Sequence, residues 1–456
     1  MSNHPARWRI LGVLGIAQLM LILDVTVVAV ALPQMEADLG LSREALTWTV
    51  SAYTLTFGGL LLLGGRLVDL RGAKPVALGG LTLFTLASLA TGLAQTSEAL
   101  VAGRIAQGLG AALLSPAALS LVVTLFDGEE RGRALGIWSA LGGAGSAIGV
   151  LAGGLLAAGP GWRWVFFVNV PIGVATVISL VVLLPATLRP GARPRLDVLG
   201  AVLVTASSAT LIYALISAGE RGWLSIVTVG LVLAAAVGYV LFVLWQRASA
   251  APLMDVRLLI RRPVATGVLH ITLATALMIV VFFLGTFYFQ NTLGYGPLAT
   301  GLLFLPVALA TMLSATLAGR LIARLGARRL GVTALVLAAA GMAVPALALG
   351  PVTAVVGVVV AAAGTGAMFV VASATALGQV APEEAGVASG IVSTFHEFGA
   401  SVGAAAISSI AAASLVGGTL DGYQRGFAAA AVGALVAAGV AIVLTPARRP
   451  DAAPAR

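Results

Sequence analysis

Runs of about 20 apolar residues recur along the whole chain, and a helix needs a run of that length to cross a bilayer at about 1.5 Å per residue. We count fourteen: 9–32, 46–64, 75–94, 98–124, 134–158, 165–185, 198–218, 224–245, 264–290, 298–318, 330–349, 352–378, 386–412 and 426–445. Within 456 residues this leaves only short loops and no room for a soluble catalytic domain. Charged residues make up 9% of the chain and hydrophobic ones 59%, whereas a soluble domain carries about 25% charged residues. A globular surface cannot be covered with so few charges, and disorder is excluded by the same apolar surplus. The expected fold class is an all-α integral membrane protein of fourteen transmembrane helices.

Arginine and lysine orient it. With the N-terminus placed in the cytoplasm, 21 of the 26 Lys and Arg fall in loops on that side and 4 (Arg43, Arg163, Arg221, Arg425) on the other. The last, Arg104, lies inside a span. Such an asymmetry predicts both termini inside. Arg7 and Arg9 before an apolar run resemble a signal peptide, but the run is long and interrupted by Asp24, so a retained helix is expected. Six of the seven Trp sit at span ends as interfacial anchors. The net charge of +9 is therefore a topology signal, and no nucleic-acid partner is expected. Lys74 stands alone against 25 Arg, a bias that fits a GC-rich bacterial genome. The absence of Cys excludes disulfides and thiolate metal sites.

An internal repeat divides the chain. Gly65-Arg66-Leu67-Val68-Asp69-Leu70-Arg71-Gly72-Ala73-Lys74 recurs 254 residues later as Gly319-Arg320-Leu321-Ile322-Ala323-Arg324-Leu325-Gly326-Ala327-Arg328. Glu129-Glu130 with Gly136-Ile137 recurs at the same offset as Glu383-Glu384 with Gly390-Ile391, and Gly145 and Gly149 map onto Gly399 and Gly403. Spans 1–6 and 9–14 are then two copies of one bundle, with spans 7 and 8 inserted. The expected units are 1–188, 189–262 and 263–456.

Two parallel six-helix halves resemble the major facilitator transporters. The resemblance sharpens at Leu23-Asp24-Val25-Thr26 through Leu32-Pro33, at Gly65 to Lys74, at Arg104-Ile105-Ala106-Gln107-Gly108 and at Gly161-Trp162-Arg163-Trp164 through Asn169-Val170-Pro171. Together these resemble the fourteen-span drug:proton antiporters of that superfamily. Two positions depart from the pattern: Ala29 where the family carries Asn, and Val150 where the helix-5 motif carries Pro. The resemblance implies proton-coupled efflux of drugs or other amphipathic and cationic compounds across the bacterial cytoplasmic membrane. The rival is a dedicated exporter of one endogenous metabolite or antibiotic. It further implies a monomer in the bilayer that exchanges protons for a small-molecule substrate, with no cofactor beyond the proton gradient and no metal. Gly65, Asp69, Arg71 and Gly72 would form a gate, with Asp69 pairing across the bundles.

The repeat also sorts residues. Asp24, Arg104 and Glu397 are ionisable, lie inside apolar helices and occur in one half only. Each costs about 2.5–3.5 kcal/mol at a bilayer centre, so each is expected to face a bundle interior or a wet cavity. Asp24 lies nine residues before Pro33, about 13 Å from a helix end placed there, and Arg104 about 10 Å into span 4, so the two share a layer. They are read either as a proton carrier with its tuning cation or as a permanent ion pair. Glu397 would bind a second proton, attract a cationic substrate or hydrogen-bond between helices. Gln18, Tyr53, Phe57, Phe283, Phe287, Tyr288 and His396 are candidate cavity liners, and His270 a core histidine. Gly145, Gly149 and Gly153 leave one face of span 5 bare for close packing. Gly399-Ala400-Ser401-Val402-Gly403 fits a hydrolase nucleophile pattern, but inside an apolar helix that lacks the strand-turn-helix elbow it requires. The G-x-x-x-x-G-K-[ST] phosphate loop of ATP-driven pumps is also absent, so no enzyme is expected.

Overall fold

A computed structural model describes residues 6–184, 196–378, 385–412 and 420–445. The predicted boundary at 188/189, Glu383, Glu384 and the arginines at 189, 193, 195, 448, 449 and 456 lie outside the described residues. The helices are α1 (Arg7–Leu39), α2 (Arg43–Arg71), α3 (Ala73–Gly92), α4 (Ser97–Leu125), α5 (Gly128–Ala158), α6 (Trp164–Phe167), α7 (Asn169–Leu183), α8 (Val198–Arg221), α9 (Ile226–Ala248), α10 (Arg262–Phe287), α11 (Pro297–Leu347), α12 (Pro351–Gly378), α13 (Ala385–Ile410) and α14 (Leu420–Leu444). In hydrocarbon every backbone N–H and C=O must be satisfied within the segment, which is why apolar stretches of this length become helices. Eleven of the described segments are long and apolar enough to cross a membrane. α6 and α7 form one crossing, and α11 turns at Gly326 and makes two. Counting α5 and α13 as well, the described residues make fourteen crossings.

The repeat appears in backbone geometry. Gly72 joins α2 to α3 at φ 89°, and Gly326, 254 residues on, turns α11 at φ 77°. Only glycine takes that conformation without strain. One boundary differs from the sequence expectation: α1 does not end at Pro33 but continues to Leu39, where Gly40 at φ 59° closes it. The Val30 carbonyl, three residues before the proline, accepts from Gln290 Nε2 at 2.8 Å. Pro33 has no N–H to offer the Ala29 carbonyl, four residues back, so the Gln290 bond ties α1 to the turn after α10 rather than replacing the lost one. Asp24 is therefore fifteen residues from the helix end, about 22 Å rather than 13 Å.

The membrane face at which α1 begins is termed the near face. At the far face one apolar core joins both halves, running from Val27–Met35 of α1 to Ile279–Phe287 of α10, with Phe289, Phe304, Tyr423 and Phe427. There a Cβ on Gly154 would meet the Pro297 carbonyl at 2.9 Å, and one on Gly301 the Val150 carbonyl at 2.8 Å. At the near face the N-terminal bundle keeps a core of its own, around Ile10, Leu14, Phe84 and Phe126. α2 and α13 form a seam between the halves, and α8 lies over it: Gly59 packs on Thr205, and Gly219 on Ser409. α9 packs on α8, where Tyr239 and Ser208 hydroxyls lie 2.9 Å apart, and exposes Leu233, Val237 and Val240. Asp197 knots the near end of this hairpin, accepting from Trp245 Nε1 (2.7 Å), Gln246 Nε2 (2.6 Å) and the Gly200 amide (2.9 Å). Burial alone would raise the Asp197 carboxyl, but these hydrogen bonds outweigh it and hold the group below its ordinary 3.8.

Candidate functional site

Asp24 and Arg104 meet inside the N-terminal bundle. Arg104 Nη1 donates to Asp24 Oδ2, and the two residues are 1% and 2% exposed respectively. Both have further partners. Gln107 Nε2 donates to Asp24 Oδ1 at 3.1 Å and to Ser88 Oγ at 2.8 Å, while its Oε1 accepts from Arg104 Nη1 at 3.0 Å. Arg104 Nε donates to the Thr49 carbonyl of α2 at 2.8 Å. Asn169 reaches Ser88 from α7 at 3.5 Å. Tyr53 lies beneath the guanidinium, 4.4 Å from its ring centre, and donates its hydroxyl to the Leu21 carbonyl at 3.3 Å. Helices α1, α2, α3, α4 and α7 thus converge on one carboxylate. Gln107 and Ser88 were not singled out from sequence, although Gln107 stands one helical turn after Arg104 on the same face.

Glu397 lies on the seam. Its Cβ packs against the bare backbone of α2, where a Cβ on Gly58 would approach it at 2.6 Å. The residue is 9% exposed, and Tyr53 lies within electrostatic reach of both Glu397 and Asp24. His396 Nε2 stands 3.9 Å from Glu397 Oε1, and its ring packs on Phe369 at 5.7 Å. Above Glu397 the seam is hydroxylic. Thr54 Oγ1 and Ser401 Oγ share a hydrogen bond of 2.5 Å, Ser51 Oγ donates to the Ser401 carbonyl at 3.3 Å, and Thr47 Oγ1 donates to Ser408 Oγ at 2.6 Å. The serine of the nucleophile-like pattern is therefore a bundle-to-bundle contact. Nearest the far face, Arg43 is buried and donates to the carbonyls of Ser408 (3.3 Å) and Ile216 (3.1 Å), with Glu220 at 3.1 Å. One cation clamps α2, α8 and α13, a role that its placement among the far-side loop charges did not suggest.

The remaining candidates fall in three places. Phe283, Phe287 and Tyr288 lie in the far-face core: the two Phe rings are 5.1 Å apart, and Tyr288 meets Tyr423 at 5.7 Å. Phe57 lies beside Tyr53 at 5.9 Å, and half-buried Gln18 holds its Oε1 inside with no partner among the described residues. At the near face Asp69 and Arg71 are exposed, and Asp69 makes no ion pair among the described residues. Gly65 has open space, its nearest neighbour being Pro116 Cβ at 4.0 Å, whereas Arg66 Nη2 donates to the Pro252 carbonyl at 3.2 Å. Gly145 packs on Ile22, Gly149 on Thr26 and Gly153 on Val27, which brings α5 against α1. His270 is fully buried, with Nδ1 2.8 Å from the Thr266 carbonyl. The Gly161 stretch anchors the start of α6: Trp162 Nε1 donates to Asp38 at 3.0 Å, and Arg163 pairs with Asp38 and donates to the Ala94 carbonyl at 3.2 Å.

The family profile of the Major Facilitator Superfamily matches residues 14–404 and 267–456. Among curated proteins, the chain is 37% identical to the puromycin resistance protein of Streptomyces alboniger, over 97% of this chain and 92% of that protein. It is 38% identical to the cephamycin export protein of Amycolatopsis lactamdurans (86% of this chain, 82% of that one). It is 34% identical to the multidrug resistance protein Stp of Mycobacterium tuberculosis (88% and 75%). Two solved structures share the fold at 16% identity. A bacterial homologue of the lysosomal transporter Spinster, in an inward-facing and unoccupied conformation, superposes with a TM-score of 0.67 over 97% of this chain and 96% of that one. A peptide transporter bound to sulfate gives 0.68 over 95% and 94%. Two bundles, fourteen crossings, the 254-residue repeat and this set of relatives lead to one assignment: the chain is a multi-pass membrane protein belonging to the Major Facilitator Superfamily.

Proposed function

We propose that the chain exports drugs or other small amphipathic and cationic compounds across the bacterial cytoplasmic membrane in exchange for protons. The observation that carries this is the fully buried Asp24–Arg104–Gln107 constellation, present in one half only. Asp24 Oδ2 either accepts from Arg104 or carries a proton. A proton there removes the charge that draws the guanidinium toward α1, while the Thr49 carbonyl and Gln107 keep Arg104 in place. Neutralisation thus loosens α1 from α4 without stranding the cation. Glu397, packed on α2 at Gly58, supports a second charge-sensing position on the seam, where a cationic substrate would bind.

The near face is cytoplasmic in this reading, with both termini inside, and the far-face core, with Asp69 in no ion pair among the described residues, supports an inward-facing state. Units 1–188 and 263–456 would rock as the two halves of a monomer, with 189–262 as an accessory pair and Gly65, Asp69, Arg71 and Gly72 as the near-face gate. Substrates undergo no chemical step. A narrower reading, export of a single antibiotic, is favoured by relatives named for puromycin resistance and cephamycin export.

The test is substrate-dependent proton flux in proteoliposomes. Asp24→Asn should still bind substrate but fail to drive uphill export, and Glu397→Gln should change preference for cationic substrates while coupling persists. Coupled export by Asp24→Asn, together with a dead Glu397→Gln, would move the proton site to the seam.

A further inference from the structure

At the near face the chain leaves α9 and enters α10 through a tight 3-10 turn, Val256–Ile260. This connection is built, not loose. The Asp197 knot holds its start, and the Met254 amide donates to Gln246 Oε1 at 3.2 Å. Leu253, Met254, Val256 and Leu258 are buried in a small core with Ala201, Phe242 and Val264. With the apolar residues turned inward, the arginines of the segment face out: Arg247, Arg257 and Arg261 are exposed.

Between the end of α9 and this segment lies a groove of about 970 Å³, lined by those three arginines, Ser249 and a single carboxylate, Asp255. Asp255 already accepts from the Arg257 amide at 2.9 Å. Counting Arg247 and Arg257 alone against Asp255, the lining carries a net positive charge. The lining includes one open apolar side chain, Ile260, 79% exposed, and beyond the lining α9 exposes Leu244 at 55%. Trp245 at the same level sets the depth, since tryptophan side chains prefer the boundary between headgroups and acyl chains.

Cations at the rim and uncovered aliphatic side chains below match the two ends of one molecule. We infer that this groove binds the phosphate headgroup of an anionic phospholipid, with Arg247 and Arg257 taking the phosphate oxygens and an acyl chain lying along Ile260 and Leu244. Guanidinium groups suit this role because their planar fork meets phosphate oxygens in pairs. A free phosphate ion would use the arginines but leave Ile260 and Leu244 without a purpose.

The test counts lipids that stay bound to the full-length protein, by native mass spectrometry from mixed micelles of phosphatidylglycerol and phosphatidylcholine. Each basic residue near a membrane surface favours an anionic lipid about fivefold, so the wild type should prefer phosphatidylglycerol at one tight site by roughly 25-fold. Arg247→Gln/Arg257→Gln should lose that preference, while Arg221→Gln, an exposed arginine at the other face, should keep it. Both substitutions are on exposed side chains, and an unchanged thermal transition separates loss of the site from loss of the fold. The inference is overturned if the double variant binds as the wild type does, or if Arg221→Gln loses the lipid equally. Displacement of the lipid by millimolar inorganic phosphate would overturn it too, by assigning the site to a soluble anion.

Discussion

Arg104 makes contacts that no substitution reproduces: one carboxylate, one amide oxygen, one main-chain carbonyl and an aromatic face. Deleting it leaves Asp24 charged and buried with Gln107 alone, and breaking a buried pair in this way costs about 3–5 kcal/mol. Arg104→Ala should therefore lower the thermal midpoint of the purified protein markedly, and Asp24→Asn/Arg104→Gln should recover much of the loss without recovering coupled transport. Gln107→Leu removes the donor to Asp24 Oδ1 and to Ser88, worth about 1–3 kcal/mol. A wild-type midpoint for Arg104→Ala would mean that the pair is not ionised as drawn. At this scale the sequence was legible where a residue violates its surroundings. Asp24, Arg104 and Glu397 stood out because charge in an apolar run has one physical excuse, a protected interior. Ser88, Gln107 and Ser401 did not, since a hydroxyl or amide in a helix can bond to its own backbone and carries no comparable anomaly.

Helix glycines here are specified by what lies opposite them. A Cβ on Gly64 would collide with the main-chain carbonyl of Ala112 in α4, which cannot rotate aside, whereas one on its neighbour Gly65 meets nothing closer than 4.0 Å. Gly64→Ala should force α2 off α4 and cost about 1–3 kcal/mol, as overpacking does. Gly65→Ala should stay within about 0.5 kcal/mol of wild type. Thermal unfolding of the two variants checks this, and a transport defect in a stable Gly65→Ala would then belong to the gate. Equal destabilisation would refute the packing assignment. The turn at Gly72 and its copy at Gly326 were readable because a repeated motif preserves backbone geometry. The true end of α1 was not, because Pro33 looks like a terminator although it removes a single helical bond, and the stop at Gly40 lies beyond the apolar run.

For the whole molecule, the inserted pair was legible as an interruption of the repeat, but its seat was not: nothing in the apolar pattern of α8 shows that it lies over the α2–α13 seam. Deleting 196–247 with a short linker should leave the Asp24 site intact and retain proton-coupled export. Arg43→Gln is included so that no clamp cation is stranded when Ile216 and Glu220 are removed. Stability should fall, because lipid would replace the α8 contacts on Gly59 and Ser409. Flux and melting measured on one preparation decide it, and a folded but inactive deletion would place these helices in the pathway. The Arg43 clamp has a mechanical consequence. For the far face to part, Arg43 of α2 must release Ser408 of α13, and α8, tied to α2 through Ile216 and to α13 through Gly219, cannot follow both. It becomes an outrigger, rigidly hitched to one hull while the other swings away, and α9 at its outer edge converts a small tilt into the longest sweep. A fluorophore at Val237, on the exposed side of α9, would report that sweep from outside the two halves.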